Sequence, residues 1–346
     1  MDIKALRTKL SGTITSAFQT YAKKEEKPAS SSSAFWIMVQ KEFGDHIRSW
    51  RFAILMGIIL LACIGSVYSA VTALRSGSAA EQAEEGFRFL QVFTLSDGTL
   101  PSFISFVTFL GPLMGIALGF DAINTERSKG TLSRLVSQPI YRDDILKAKF
   151  VSTLLVIAVA ILALGLLVMG LSLIVIGYPP TAEEVWRVLL FLLTAIVYVG
   201  FWLNLSILFS VRFRQATTSA LAGISLWIFF SVFYSMILNL IAKGAAPSST
   251  AGTEEVMDYQ RLMMMLNRLS PSELFNEANM TLLMPSVRSL GPLTMEQVVG
   301  ALPSPLPLGQ SLLLVWPQLT GMIAATMICF GLSYLLFMRQ EIRSRS

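Results

Sequence analysis

The chain is poor in the residues that most catalytic and metal-binding chemistry requires. It has one histidine and two cysteines among 346 residues. His46 alone cannot build a proton relay or a metal site, so it reads as an interfacial polar residue. Cys63 and Cys329 each fall inside an apolar run, where a thiol behaves as a small buried apolar group and a structural disulfide is not expected. No G-x-x-x-x-G-K-[ST] phosphate cradle occurs, nor H-E-x-x-H, C-x-x-C or G-x-S-x-G. Neither enzymatic activity nor a cofactor is expected in this chain. Charge is scarce as well: Asp, Glu, Lys and Arg make up 14% of residues, against about 25% in soluble domains.

What replaces charge is hydrocarbon. Hydrophobic residues are 53% of the chain, and six windows approach or reach the roughly 20 apolar residues needed to cross a bilayer. They are 53–73, 103–120, 150–177, 186–209, 217–241 and 313–337. If both termini are cytoplasmic, the inner pieces 1–52, 121–149, 210–216 and 338–346 carry 20 of the 27 Lys and Arg residues. The positive-inside rule then fixes that orientation. Membrane orientation also explains the net charge of +5, and no basic-aromatic surface suited to nucleic acid is evident. The expected fold is an all-α membrane protein with six transmembrane helices.

Residues 1–33 read as a cytoplasmic extension and Ser-rich linker rather than a leader, because no apolar core segment occurs in them. Residues 34–52 place Phe35, Met38, Val39, Phe43, Ile47 and Trp50 at helical spacing against Lys41, Glu42, Asp45, Arg48 and Arg51. That pattern suits an amphipathic helix lying in the membrane interface. The six-helix transmembrane domain proper is expected over 53–346.

The segment 121–149, DAINTERSKGTLSRLVSQPIYRDDILKAK, is a polar island between two apolar runs. Asp121 to Arg134 is expected to continue a helix out of the membrane, with a weak point at Gly130 and Thr131. Pro139 ends that run. Tyr141 to Lys149 reads as a short second helix, acidic at its start and basic at its end, the order favoured by the helix dipole. Two short elements joined by a break form a shelf on which a partner can press, although an ordinary solvating loop has the same composition.

Glu126, Gly130-Thr131-Leu132, Leu135-Val136-Ser137, Pro139, Arg142, Ile145-Leu146 and Lys149 resemble the spaced signature of the type-2 permeases of ATP-binding-cassette transporters. That group includes the permease of the nitrous-oxide-reductase copper-maturation system. The resemblance implies a coupling set of Glu126, Arg127, Gly130, Thr131, Leu132, Arg134, Pro139 and Arg142 against an ATPase subunit. It also implies an elbow before the first membrane helix, with Lys41, Glu42, Arg48 and Arg51 as interface residues, and a short inner loop carrying Arg212 and Arg214. Those two arginines equally serve as topology anchors. Two ATPase subunits holding ATP and Mg, and a second permease copy or a related permease, are the implied partners. Membrane lipids complete the set, and a bacterial plasma membrane is the implied location.

Between the membrane windows lie two outer features. The turn at 178–185 contains Pro179 and Pro180, then Thr181 with Glu184 in capping-box spacing. Residues 242–312 form an enlarged outer loop with expected helices at 253–269 and 271–284. Its seven methionines read as packing for an outer cap rather than a metal site. FRFLQVFTL, before Asp97, reads as a helix resting against the outer membrane face. Trp202, Asn204, Tyr234 and Asn239 are candidate path-lining residues or helix-joining polar groups. The function expected is the permease subunit of an ATP-driven exporter. A secondary transporter, with Gly111-Pro112 as a helix break, or a membrane assembly and anchoring subunit are the alternatives.

Overall fold

The computed structural model describes residues 31–75, 87–131, 141–177, 179–247, 252–285 and 305–339, and among them every regular element is helical. In chain order these are α1 Ser31–Ile47, α2 Trp50–Arg75, α3 Arg88–Thr94, α4 Phe103–Gly119, α5 Asn124–Ser128, α6 Arg142–Ile176, α7 Ala182–Arg212 and α8 Ala216–Ile228. A π-helical turn, Phe229–Phe233, joins α8 to α9 Tyr234–Ala245; α10 Thr253–Asn267, α11 Pro271–Leu283 and α12 Leu308–Arg339 follow. Six helical stretches are long and apolar enough to cross a membrane: α2, α4 with α5, α6, α7, α8 through α9, and α12. Each covers one of the six windows read from hydropathy, 150–177 running one residue past the end of α6.

The bundle is built around α7. Its buried side chains run the whole length from Glu184 to Val211, and α4, α6, α11 and α12 pack on them. Backbone meets backbone against α4, where Gly111, Gly115 and Gly119 stand at four-residue intervals. A methyl group at Gly115 would lie 2.8 Å from both the Val199 carbonyl oxygen and the Leu203 amide nitrogen. Such a stripe of small residues lets two backbones meet where lipid supplies no hydrophobic drive for helix association. Pro112 lies inside α4 without breaking it, so the helix break considered at Gly111-Pro112 is not formed.

Several local expectations are corrected. The expected elbow, 34–52, ends earlier: α1 stops at Ile47, and Ser49 Oγ accepts a hydrogen bond from the Phe52 amide at 3.2 Å to start a new helix. Trp50 and Arg51 therefore belong to the first span. The segment after Asp121 does not continue α4. That helix ends at Gly119, and a turn precedes α5, whose first amides, on Ile123 and Asn124, donate to Ser210 Oγ on α7 at 2.9 and 3.2 Å. Tyr141 to Lys149 is not a separate helix either; from Arg142 it forms the first turns of the 35-residue α6. No Gly or Pro interrupts α6 before Gly165, and at 1.5 Å per residue about 52 Å of helix exceeds the roughly 30 Å hydrocarbon core.

The enlarged loop forms the two helices expected in it, α10 and α11, but they pack along the bundle's own helices. Tyr259 on α10 donates to the Ala242 carbonyl at 3.1 Å, and Tyr234 donates to the Leu266 carbonyl at 2.5 Å, so α10 runs antiparallel to α9. Then α11 returns along α7: Phe275 stacks on Tyr198 at 4.4 Å, Thr194 donates to Asn279 Oδ1 at 3.0 Å, and Arg187 donates to the Leu282 carbonyl at 3.0 Å. Tyr198 is the seventeenth of the 31 residues of α7. The α10–α11 hairpin thus reaches the midpoint of the central helix. Ser270 and Pro271 start α11 as read from sequence, with Pro at the first turn. The short α3 is also buried, not resting on an outer face: Phe89, Leu90, Val92 and Phe93 are fully enclosed, and the Phe89 amide donates to Glu184 at 3.1 Å. Glu184 serves twice, since it also closes the capping box with Thr181.

Candidate functional site

The polar elements at the α1 end of the bundle converge on one side chain. Met38 and Val39 of α1 pack on Ile145 and Ala148 of α6, which sets α1 along the base of that helix. One residue further, Lys149 is buried, and its Nζ lies 3.0 Å from Glu42 Oε2 on α1 and 3.5 Å from Glu126 Oε1 on α5. The Thr131 hydroxyl donates to the Glu126 carboxylate and, at 3.2 Å, to the Glu126 carbonyl. Gly130 has φ of +69°, the left-handed conformation that turns the chain back after α5 so that Thr131 can reach Glu126. A single ammonium therefore ties three elements that are far apart in sequence.

Magnitudes distinguish this cluster from the neighbouring ion pair. Arg51 meets Asp121 at 2.5 Å and lies over the Phe120 ring, but its side chain is 65% exposed, so the pair contributes at most about 1 kcal/mol. Lys149 is only 6% exposed at the side chain. Removing one member of such a buried pair leaves an uncompensated charge and costs about 3–5 kcal/mol. His46 borders the same cluster, with Nε2 3.0 Å from Thr153 Oγ1. Burial holds its pKa below the usual imidazole value against Glu42, which raises it; Lys149 lowers it, while Asp121 and Asp45 raise it.

The candidate residues read from sequence separate into several places. Glu126, Thr131 and Glu42 join the Lys149 cluster, and Gly130 supplies its turn. Arg127 is half-buried, and Lys41 and Arg48 are exposed. Arg142 instead donates to the Phe337 carbonyl at 3.0 Å and lies 5.2 Å from the Phe337 ring, tying the start of α6 to the end of α12. Arg212 and Arg214 are exposed at the α7–α8 turn. Leu132, Arg134 and Pro139 lie outside the described residues. Trp202 and Asn204 are buried within the bundle, the amide of Asn204 donating to the Thr326 carbonyl on α12 at 2.7 Å. Tyr234 lines a cavity, and Asn239 is exposed on α9.

Two residues absent from the sequence-derived set are structurally central. Lys149 stands in the spaced signature and ends a charged run, but no coupling role follows for it from either. Arg187, in the second turn of α7, is fully buried and donates to Glu183 at 2.8 and 3.1 Å, to the Leu282 and Leu306 carbonyls at 3.0 and 2.6 Å, and to Ser311 Oγ at 3.2 Å. Its signal was a lone cation inside an apolar run, where a charge calls for a specific partner.

A family model described as "ABC-2 family transporter protein" matches residues 36–342. The chain is also similar to the probable ABC transporter permease protein NosY of Pseudomonas aeruginosa, with 27% identity over 212 residues, 60% of this chain and 70% of that protein. The protein of the same name from Stutzerimonas stutzeri is 27% identical over 205 residues, 59% of this chain and 68% of its own.

Proposed function

The chain belongs to the ABC-2 transporter family, and from that premise we propose that it is the force-transmitting permease of an ATP-driven exporter. As the membrane subunit of such a transporter it is a multi-pass inner-membrane protein that depends on a separate ATPase subunit and a paired permease. In our reading, two ATPase copies, holding ATP and Mg, dock beneath α5 and the adjoining turn on the cytoplasmic side. Both termini face that side, and α1 is the interfacial elbow. ATPase closure displaces α5. The displacement passes through Glu126, Lys149 and Glu42 to α6 and α1, and the inner end narrows while the outer end opens.

The observation that carries the reading is Lys149 held between Glu42 and Glu126. A buried cation with two anionic partners on separate elements resists their separation, so a push on one is delivered to all three. Purification of the tagged chain from its native membrane in mild detergent, with identification of bound proteins and an ATPase assay, tests the proposal. A stoichiometric ATPase should accompany both wild type and Lys149→Met, with turnover reduced several-fold in the variant. A folded chain that recovers no ATPase, or a variant with unchanged turnover, would overturn it.

A further inference from the structure

The tip of the α10–α11 hairpin opens a cleft of about 320 Å³ against α4 and the π-helical turn of the fifth span. Backbone that leaves helical geometry deep in a membrane protein is tolerated where protein buries it or where it borders a wet cavity. Here the hairpin turn borders a cleft lined largely by polar side chains. Asn267 and Ser270 come from the tip, and Asn276 from α11, where its Oδ1 accepts from the Thr108 hydroxyl at 2.9 Å. Phe230 and Tyr234 of the fifth span line the cleft as well, their ring centroids 5.6 Å apart. Phe230 lies within the π-helical turn, a distortion found often at functional sites.

One carboxylate in this cleft lacks a partner. Glu277, one turn further along α11, accepts from Arg268 Nε at 2.9 Å and from Gln318 Nε2 at 3.1 Å. Glu273 lines the cleft, and among the described residues no cation or hydrogen-bond donor answers it. It is exposed to the cleft at the first turn of α11, and desolvation together with the neighbouring Glu277 pushes its carboxyl pKa up, so that a bound cation would favour its ionised form. Aromatic residues and an unanswered carboxylate lining one cleft, with hydroxyls and amides among them, are the groups that recognise an organic cation: the carboxylate supplies the counter-charge and the rings supply cation–π attraction.

We propose that this cleft is a binding site for a monovalent organic ammonium, with Glu273 as its counter-ion and Phe230 and Tyr234 as its aromatic wall. The proposal names a substrate class for the transport subunit and rests on that functional reading, but binding is measured without nucleotide and does not depend on ATPase coupling. The probe is benzyltrimethylammonium, measured by equilibrium dialysis with the full chain in lipid nanodiscs. Neopentylbenzene, its uncharged isostere, is the competitor. Saturable binding is expected, weakened about tenfold or more by Glu273→Gln, retained within a few-fold by Glu273→Asp, and resistant to neopentylbenzene. The competition is read on wild type and does not depend on how any variant folds. No saturable binding, equal affinity in wild type and Glu273→Gln, or displacement by the neutral isostere would overturn the site. ATPase association and turnover would remain interpretable in each case.

Discussion

Replacing Arg187 with Met should destabilise the hairpin end of the bundle by about 4 kcal/mol. The magnitude follows from what the guanidinium leaves behind. Glu183 is 40% exposed, so water recovers most of that ion pair, and its loss accounts for under about 1 kcal/mol. The larger cost comes from the Leu282 and Leu306 carbonyls, which lose their donors at a fully buried position. Each orphaned acceptor costs about 1–3 kcal/mol. Arg187 also lies 5.4 Å from the Phe87 ring, a contact that Met replaces in part. At roughly 2 °C per kcal/mol, the thermal midpoint in detergent should fall by roughly 8 °C, while Glu183→Gln should shift it by no more than roughly 2 °C. Arg187→Lys, which keeps the charge but gathers its donors on one nitrogen in place of the two that reach the separate carbonyls, should fall between. If Arg187→Met and Glu183→Gln lower the midpoint equally, the carbonyl staple is not what holds α11 and α12 to α7.

Gly115→Ala should push α4 away from α7, since the new methyl meets backbone on both sides at 2.8 Å and neither atom can rotate aside. The expected loss is about 1–3 kcal/mol, checked by thermal unfolding beside Gly57→Ala, where nothing lies within 4 Å. His46 gives a pH signature at the coupling cluster. Its pKa is lower in the fold than the ordinary 6.5, so the unfolded chain takes up the proton first as pH falls. Its stabilising contribution is therefore complete above that ordinary value and is lost as pH drops through it toward the folded pKa. Wild type should lose thermal stability relative to His46→Gln between about pH 7.5 and about pH 5.5, and a constant difference would refute the assignment.

How much of this was legible depended on the range of the interaction. The six spans were visible because run length alone decides whether a helix can cross hydrocarbon. The Thr181–Glu184 capping box and the Ser270-Pro271 helix start were visible because their partners lie within one turn. Gly130 was recognised as a weak point, and its positive φ supplies the cause. The course of α11 was hidden. At 13 residues it is too short to score as a span, and its packing depends on Thr194 and Tyr198, about 80 residues away. The Lys149 cluster was hidden for the same reason: residues 42, 126 and 149 come together only after α1 docks on α6 and Ser210 fixes the start of α5. The burial of α3 likewise required the aromatic cluster of Phe93, Phe103 and Phe191. Nothing in FFSVF announces a π-helical turn.

The measurement that most directly tests the coupling account is the distance between spin labels at Gln40 on α1 and Ser128 on α5, both exposed, with Cys63 and Cys329 replaced by Ala. It is made on the intact complex by pulsed electron paramagnetic resonance, nucleotide-free and trapped with ADP-vanadate. If Lys149 binds these elements into one moving unit, the wild-type distance holds within about 2 Å across the two states, while Lys149→Met broadens it and separates the labels on trapping. A wild-type distance that changes on trapping, or a Lys149→Met distribution indistinguishable from wild type, would contradict the account.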